Sequence, residues 1–135
     1  MEKTLPKPIP RPNADSRPYW EACNRGELTY QRCGTCGHAQ FYPRSLCIQC
    51  KSQDLSWKKS NGRATVYSFT EMHRAAIPSY QANVPYLVAL LEMEEGFRLI
   101  TNVEGPTNQI QIGTKGSIVF EDRGEQKVPK FLPDA

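Results

Sequence analysis

Cys33-Gly34-Thr35-Cys36 and Cys47-Ile48-Gln49-Cys50 place four thiols in two C-x-x-C pairs, separated by ten residues. A C-x-x-C turn aims both sulfurs at one point with backbone amides directed at them, so two such turns supply the tetrahedral thiolate shell that zinc accepts. Gly34 and Gly37 stand where those turns need backbone freedom. Three other uses compete with zinc: an iron centre of rubredoxin type, a redox-active pair, and two disulfides. A redox pair gains nothing from duplication at this spacing, and disulfides suit an oxidising compartment for which the chain carries no secretory signal. Zinc therefore stands ahead of iron, with Cys33, Cys36, Cys47 and Cys50 as ligands of one ion per chain. Four protein ligands close the shell, so such an ion is structural and activates no water. Four thiolates around Zn2+ also leave a double negative charge, which Arg32, Arg44 and Lys51 are placed to offset.

The remaining reactive residue types form no catalytic constellation. Cys23 falls on the apolar side of a short predicted helix and reads as a packed thiol. His38 is redundant beside four sulfurs and reads as a solvated turn residue. His73 opens a loop from Met72 to Asn83 with no nucleophile or carboxylate paired to it in the sequence. Glu92, Glu94 and Glu95 read as solvated charge at a strand end.

The elements that must position the cysteines are short. Leu, Ile, Val and Phe make up 20% of the 135 residues, while the chain holds 11 Pro and 9 Gly, a balance that excludes a helical bundle and favours strands and turns. Residues 1–27 read as an extended, proline-rich arm followed by a helix. Asp15 or Ser16 is its cap, Tyr19, Trp20 and Cys23 lie on its apolar side, and Gly26 is its stop. A helix of roughly ten residues is marginal alone and needs a surface, with Tyr19 and Trp20 as anchors. Residues 28–60 contain the metal ribbon, entered by a strand at Leu28–Arg32 and left through a polar turn around Trp57, Lys58 and Lys59. Residues 61–135 carry strand patterns at 62–70, 84–93, 97–103, 117–121 and 128–132, which suggest a five-stranded barrel of OB type. The fold expected is thus mainly β: arm and helix, rubredoxin-like zinc ribbon, OB-fold barrel.

Charge divides the same way. Residues 1–60 hold 10 Lys and Arg against 5 Asp and Glu, and residues 61–135 hold 7 against 9. A basic front half can meet an anionic ligand, whereas the acidic back half is a poor track for a phosphodiester backbone. The longest apolar run, Tyr86 to Leu91, is far too short to span a bilayer, and the start of the sequence lacks the apolar stretch of a signal peptide, so the expected location is the cytoplasm.

The order of these features resembles a zinc-ribbon plus OB-fold family, first catalogued as a domain of unknown function and associated with acyl-CoA enzymes. The residues that carry the resemblance are the proline-rich arm, Tyr19-Trp20-Glu21, Gly26-Glu27-Leu28, the ribbon from Gln31 to Cys50 with Phe41-Tyr42-Pro43-Arg44 inside it, and Trp57. It continues through Gly62 to Thr70, Pro85 to Leu91, and Pro129-Lys130-Phe131-Leu132-Pro133, so that it spans about residues 13–133. Some members lack the ribbon cysteines; all four are present here. The resemblance implies a non-catalytic accessory subunit that pairs with a thiolase-superfamily enzyme (a thiolase, a thiolase-fold aldolase or an acyltransferase), with ribbon and helix on the partner and the CoA entry channel shaped between them. On that reading Arg32, Arg44, Lys51, Lys58 and Lys59 are the candidates for CoA phosphate contact, and Tyr19 and Trp20 for the partner interface. The alternative is a single-stranded nucleic-acid-binding protein, since OB-folds and ribbons serve that role too. Tyr67, Phe69, Tyr86, Phe97 and Phe120 are the aromatics available for stacking, but alternation predicts many of them inside the barrel, and the acidic back half counts against nucleic acid. A free-standing thioesterase or transferase lacks its catalytic residues.

Overall fold

The computed structural model describes residues 9–75, 78–105 and 110–134. The first eight residues of the arm and part of the loop after Met72 lie outside it. Among the described residues one α-helix, α1 (Arg17–Asn24), precedes eight strands, β1 (Thr29–Cys33), β2 (Ala39–Gln40), β3 (Leu55–Lys59), β4 (Arg63–Met72), β5 (Tyr86–Met93), β6 (Arg98–Asn102), β7 (Lys115–Asp122) and β8 (Lys127–Pro133), with a 3-10 helix (Pro78–Asn83) between β4 and β5.

Helix α1 starts and stops for local reasons. Ser16, one of the two expected caps, is its N-cap, but the Ser16 hydroxyl turns back from the helix: Asn13 and Ser16 bond each other reciprocally, each backbone N–H donating to the other's side-chain oxygen at 3.0 and 2.8 Å. At the other end Gly26 takes φ +76°, its N–H donates to the Cys23 carbonyl and that of Glu27 to the Ala22 carbonyl. This is the Schellman closure, and only glycine enters it without strain. The helix buries Tyr19, Ala22 and Cys23. Burial pushes the Cys23 thiol up to about 11, which suits packing and not reactivity.

The ribbon sheet is antiparallel in the order β2-β1-β3. Strand β3 is where a polar turn was expected. Only Leu55 and Trp57 of its five side chains are partly buried, so its pattern is faint, and pairing with all five residues of β1 makes it a strand. The second sheet has the order β6-β5-β4-β7-β8. Its ends meet through a parallel bridge from Val103 to Phe131 and a 2.8 Å bond from the Glu104 amide to the Phe131 carbonyl, which nearly closes a five-stranded OB barrel. Alternate residues fill it: Ala64 and Val66 from β4, Leu87, Ala89, Leu91 and Met93 from β5, Leu99 from β6, and Phe131 from β8. The register slips between Val66 and Ser68, a bulge that resets which face each later residue takes. Tyr67 falls at the slip, Phe69 pairs with buried Ala89, and both keep surface at 47% and 38% exposure, while Phe97 is buried and Tyr86 and Phe120 are partly so.

Helix, ribbon and barrel are joined by a chain of rings. Phe97, at the turn between β5 and β6, stacks on Tyr30 of β1 at 4.7 Å and on Phe41 at 5.7 Å, and Phe41 meets Tyr19 edge-on at 5.2 Å. Glu94 and Glu95, expected as free charge, tie the same joint: Glu95 accepts from the Ser60 hydroxyl and the Asn61 amide at 2.8 and 2.7 Å, and Glu94 from the Asn61 side chain at 2.6 Å. Because Phe97 joins barrel to ribbon directly and reaches the helix through Phe41, at 3% exposure, Phe97→Ala is expected to lower stability by about 3–5 kcal/mol, read by urea unfolding of the metal-loaded protein.

Candidate functional site

The two cysteine turns face each other at the far end of the ribbon. The four Sγ atoms lie within 4.8 Å of one another, with Cys33 to Cys50 and Cys36 to Cys47 at 3.6 Å. Zn–S bonds of about 2.3 Å in a tetrahedron require sulfurs about 3.8 Å apart, so the residues present fit the ion. Backbone amides supply the rest of the shell. Cys33 Sγ accepts from Thr35 and Cys36, and Cys47 Sγ from Gln49, each at 3.4 Å. The amide of Cys36 and then that of Thr35 draw the Cys33 thiol down to about 6 against desolvation, and the amide of Cys50 lowers Cys47 in the same way. Against the amide of Ser52, burial and the neighbouring sulfurs push Cys50 up to about 12, a crowding of thiols that a divalent cation relieves. His38 contributes its carbonyl to the Cys33 amide, and its ring is not in the cluster.

The two turns are near-copies. Gly37 donates to the Cys33 carbonyl with φ +77°, and Lys51 donates to the Cys47 carbonyl with φ +64°. Lys51 is thus the non-glycine residue in a conformation that disfavours a Cβ by about 1–2 kcal/mol. Between the turns, residues 41–46 have no ladder and hang instead on the side chains of two buried glutamines, Gln31 and Gln40. Sequence patterning offered no signal for that role, because a glutamine in a strand looks like any polar residue.

The five expected phosphate contacts do not form one cluster. The Arg32 guanidinium is engaged in the joint: it donates to the Gly37 carbonyl at 2.9 Å, the Tyr30 hydroxyl at 3.3 Å and the Glu95 carbonyl at 3.4 Å. Lys58 pairs in register with Tyr30 and is exposed, and the neighbouring Lys59 turns to the other face and reaches Glu27 at 4.0 Å. Arg44 and Lys51 share a shallow depression with Leu46 and Ile48. Arg44 also lines a groove of about 290 Å³ between ribbon and barrel, floored by Phe41 and Phe97 and completed by Arg98 of β6, a strand cation that no sequence motif marks. Arg98 lies 4.0 Å over the Tyr67 ring.

A larger groove, about 420 Å³, is walled by Trp20 of α1, Phe41, Tyr42 and Pro43 of the ribbon loop, Ile100 of β6 and Pro129 of β8. Tyr42 and Ile100 are 62% and 55% exposed. The pair expected at an interface is divided here: Tyr19 is buried against its own chain at 4% exposure, whereas Trp20 keeps surface on the groove. His73 is exposed and faces Glu71 at 3.8 Å. No helix among the described residues is long and apolar enough to cross a membrane.

Comparison with known proteins gives this architecture a family. Residues 20–56 match the rubredoxin-like zinc ribbon domain of ChsH2, and residues 57–121 match the C-terminal OB-fold domain of ChsH2. The border falls inside β3, which by pairing belongs to the ribbon sheet. The chain is 35% identical over 129 residues to a probable enoyl-CoA hydratase alpha subunit of Thermomonospora curvata, covering 94% of this chain but only 40% of that protein. A DUF35 domain-containing scaffold protein of Methanocaldococcus jannaschii is 30% identical over 91 residues, 66% of this chain and 64% of the relative. The benzoylsuccinyl-CoA thiolase subunit BbsA of Geobacter metallireducens is 28% identical over 74 residues, 55% and 48% of the two. Among solved structures, a chain of the Ltp2-ChsH2(DUF35) aldolase superposes with a TM-score of 0.82 at 31% identity, over 93% of this chain and 98% of that one. With one zinc ribbon, one OB barrel and a match along nearly all of both chains, this protein belongs to the ChsH2-type DUF35 family of zinc-ribbon and OB-fold proteins.

Proposed function

We propose that the chain is a non-catalytic, zinc-stapled accessory subunit of a thiolase-type acyl-CoA enzyme, which it stabilises and whose CoA channel it helps to shape. The observation that carries this reading is the near end-to-end likeness to a chain of an aldolase assembly. The chain spans about two fifths of the hydratase alpha subunit it matches, so a hydratase activity is the weaker transfer. The site chemistry agrees: a closed four-sulfur metal shell offers no open position, and the described histidines have no nucleophile beside them. Substrate phosphates would meet Arg44 and Arg98, the two cations that share the groove between ribbon and barrel. The test is steady-state kinetics of a co-expressed thiolase-superfamily catalytic protein with and without this chain. Activity that requires the chain is expected, together with a roughly tenfold higher KM for the CoA substrate in Arg44→Ala or Arg98→Ala and unchanged co-elution. Unchanged KM in both variants would remove those arginines from the channel.

A second reading, single-stranded nucleic-acid binding, draws on exposed Tyr67 and Phe69 with Arg98 over the former, an arrangement on which bases could stack. It is disfavoured by the acidic balance of residues 61–135, with 7 basic against 9 acidic side chains. Titration with a labelled oligonucleotide at physiological salt is expected to give no submicromolar affinity.

A further inference from the structure

We propose that Gln31 and Gln40 are positioning residues of the metal centre: together they fix the second cysteine turn and the loop leading into it, so the shape of the groove wall at residues 41–43 is set by the same device that holds the ion. Both side chains are buried, at 5% and 4% exposure, and they sit opposite each other on β1 and β2. The Gln40 amide donates to Gln31 Oε1 at 2.8 Å, which fixes how both amides point. Gln31 then treats Arg44 as a strand would: its Oε1 accepts from the Arg44 amide at 3.0 Å and its Nε2 donates to the Arg44 carbonyl at 2.9 Å. Gln40 Oε1 accepts from the amide of Ile48 at 3.0 Å, inside the second C-x-x-C, and its Nε2 reaches the Leu46 carbonyl at 3.4 Å.

Each glutamine therefore satisfies backbone groups of a stretch that lacks a ladder of its own, Gln31 at Arg44 and Gln40 at Leu46 and Ile48. Such a clamp acts on metal affinity through preorganisation. With Ile48 held, Cys47 and Cys50 are aimed before the ion arrives, and without it they must be ordered at the moment of binding. The same bonds hold Arg44, and through it Tyr42 and Pro43, against the ribbon.

The experiment compares Gln31→Leu and Gln40→Leu with Gln126→Leu. Gln126 is equally buried at 7%, but it bonds Trp20 and Lys127 away from the metal, so its loss reports the general effect of removing a buried amide. Zinc affinity is measured by competition with a chromophoric chelator, and trypsin cleavage after exposed Arg44 is followed at saturating zinc. The two clamp variants are expected to bind zinc about 10–100-fold more weakly and to be cut faster at Arg44, with the four-thiolate spectrum of the Co2+-loaded protein unchanged. Gln126→Leu should do neither. Should a leucine variant fail to fold, Gln31→Glu and Gln40→Glu keep the acceptor oxygens while losing the donors, and weaker zinc binding is expected there too. Zinc affinities within twofold of the parent in both clamp positions, or an equal loss in Gln126→Leu, would overturn the assignment.

Discussion

Cys36→Ser is expected to lower zinc content from one ion per chain to a small fraction of that, and to unfold the ribbon while the barrel core remains collapsed. The reason is that fold and ion are one equilibrium here. The ribbon sheet has a two-residue strand at one edge and a sparsely buried strand at the other, so little apolar area holds it together. The apparent binding free energy of a structural zinc, about 10–16 kcal/mol, is far larger than any single packing contact it could replace. A hydroxyl in place of one thiolate leaves three ligands and one unfilled corner. Even a loss of about 3 kcal/mol would lower Tm by about 10 °C in a chain of this size. Chelation of the parent should reproduce the effect and acidification should favour it, because every proton returned to a sulfur competes with the ion. The measurements are elemental analysis and thermal unfolding. An ion retained at full stoichiometry with an unchanged Tm would show that the four sulfurs are not its ligands, and iron in place of zinc would correct the metal while leaving the coupling intact.

The chemistry of this site was legible in the sequence because it rests on spacing alone. Four cysteines in two fixed turns carry their geometry with them, and the sulfurs converge as expected. Strand β5 was legible for a different reason: Tyr86 to Leu91 is an unbroken apolar run followed by the Gly96 turn, and only the fold shows that Leu87, Ala89, Leu91 and Met93 are its buried face. What escaped was decided by neighbours. Leu55 to Lys59 is a strand because β1 offers it a ladder, not because its own residues demand one. The register slip after Val66 is decided by pairing with β5, and no local pattern marks it or the exposure that Tyr67 and Phe69 keep. Glu94 and Glu95 look like solvated charge until Ser60 and Asn61, more than thirty residues away, come to meet them. Arg32 illustrates the same limit in the opposite sense, since a cation beside a metal turn looks available, yet its donors go to carbonyls of its own chain.

That redistribution sharpens what an interface should look like. Trp20→Ala and Tyr42→Ala are each expected to weaken binding to the proposed thiolase-type partner by about 2 kcal/mol or more, roughly thirtyfold in Kd, and so to abolish co-elution at micromolar concentration. Both rings wall the 420 Å³ groove, and Tyr42 at 62% exposure presents an amphipathic side chain of the type that dominates binding energy when a partner desolvates it. Tyr19→Ala should behave differently. Its ring is buried against Trp20 and Phe41, so its removal lowers the stability of the isolated chain before any partner is added. Ile112 gives the control for exposure alone, since at 72% it is more exposed than either ring and does not line the groove. Isothermal titration of each folded variant against the catalytic protein separates these cases, with zinc content checked first. Parent-like affinity in both Trp20→Ala and Tyr42→Ala would move the interface off this groove. Loss of affinity in Ile112→Ala alone would place it instead at the turn before β7, far along the chain from the metal.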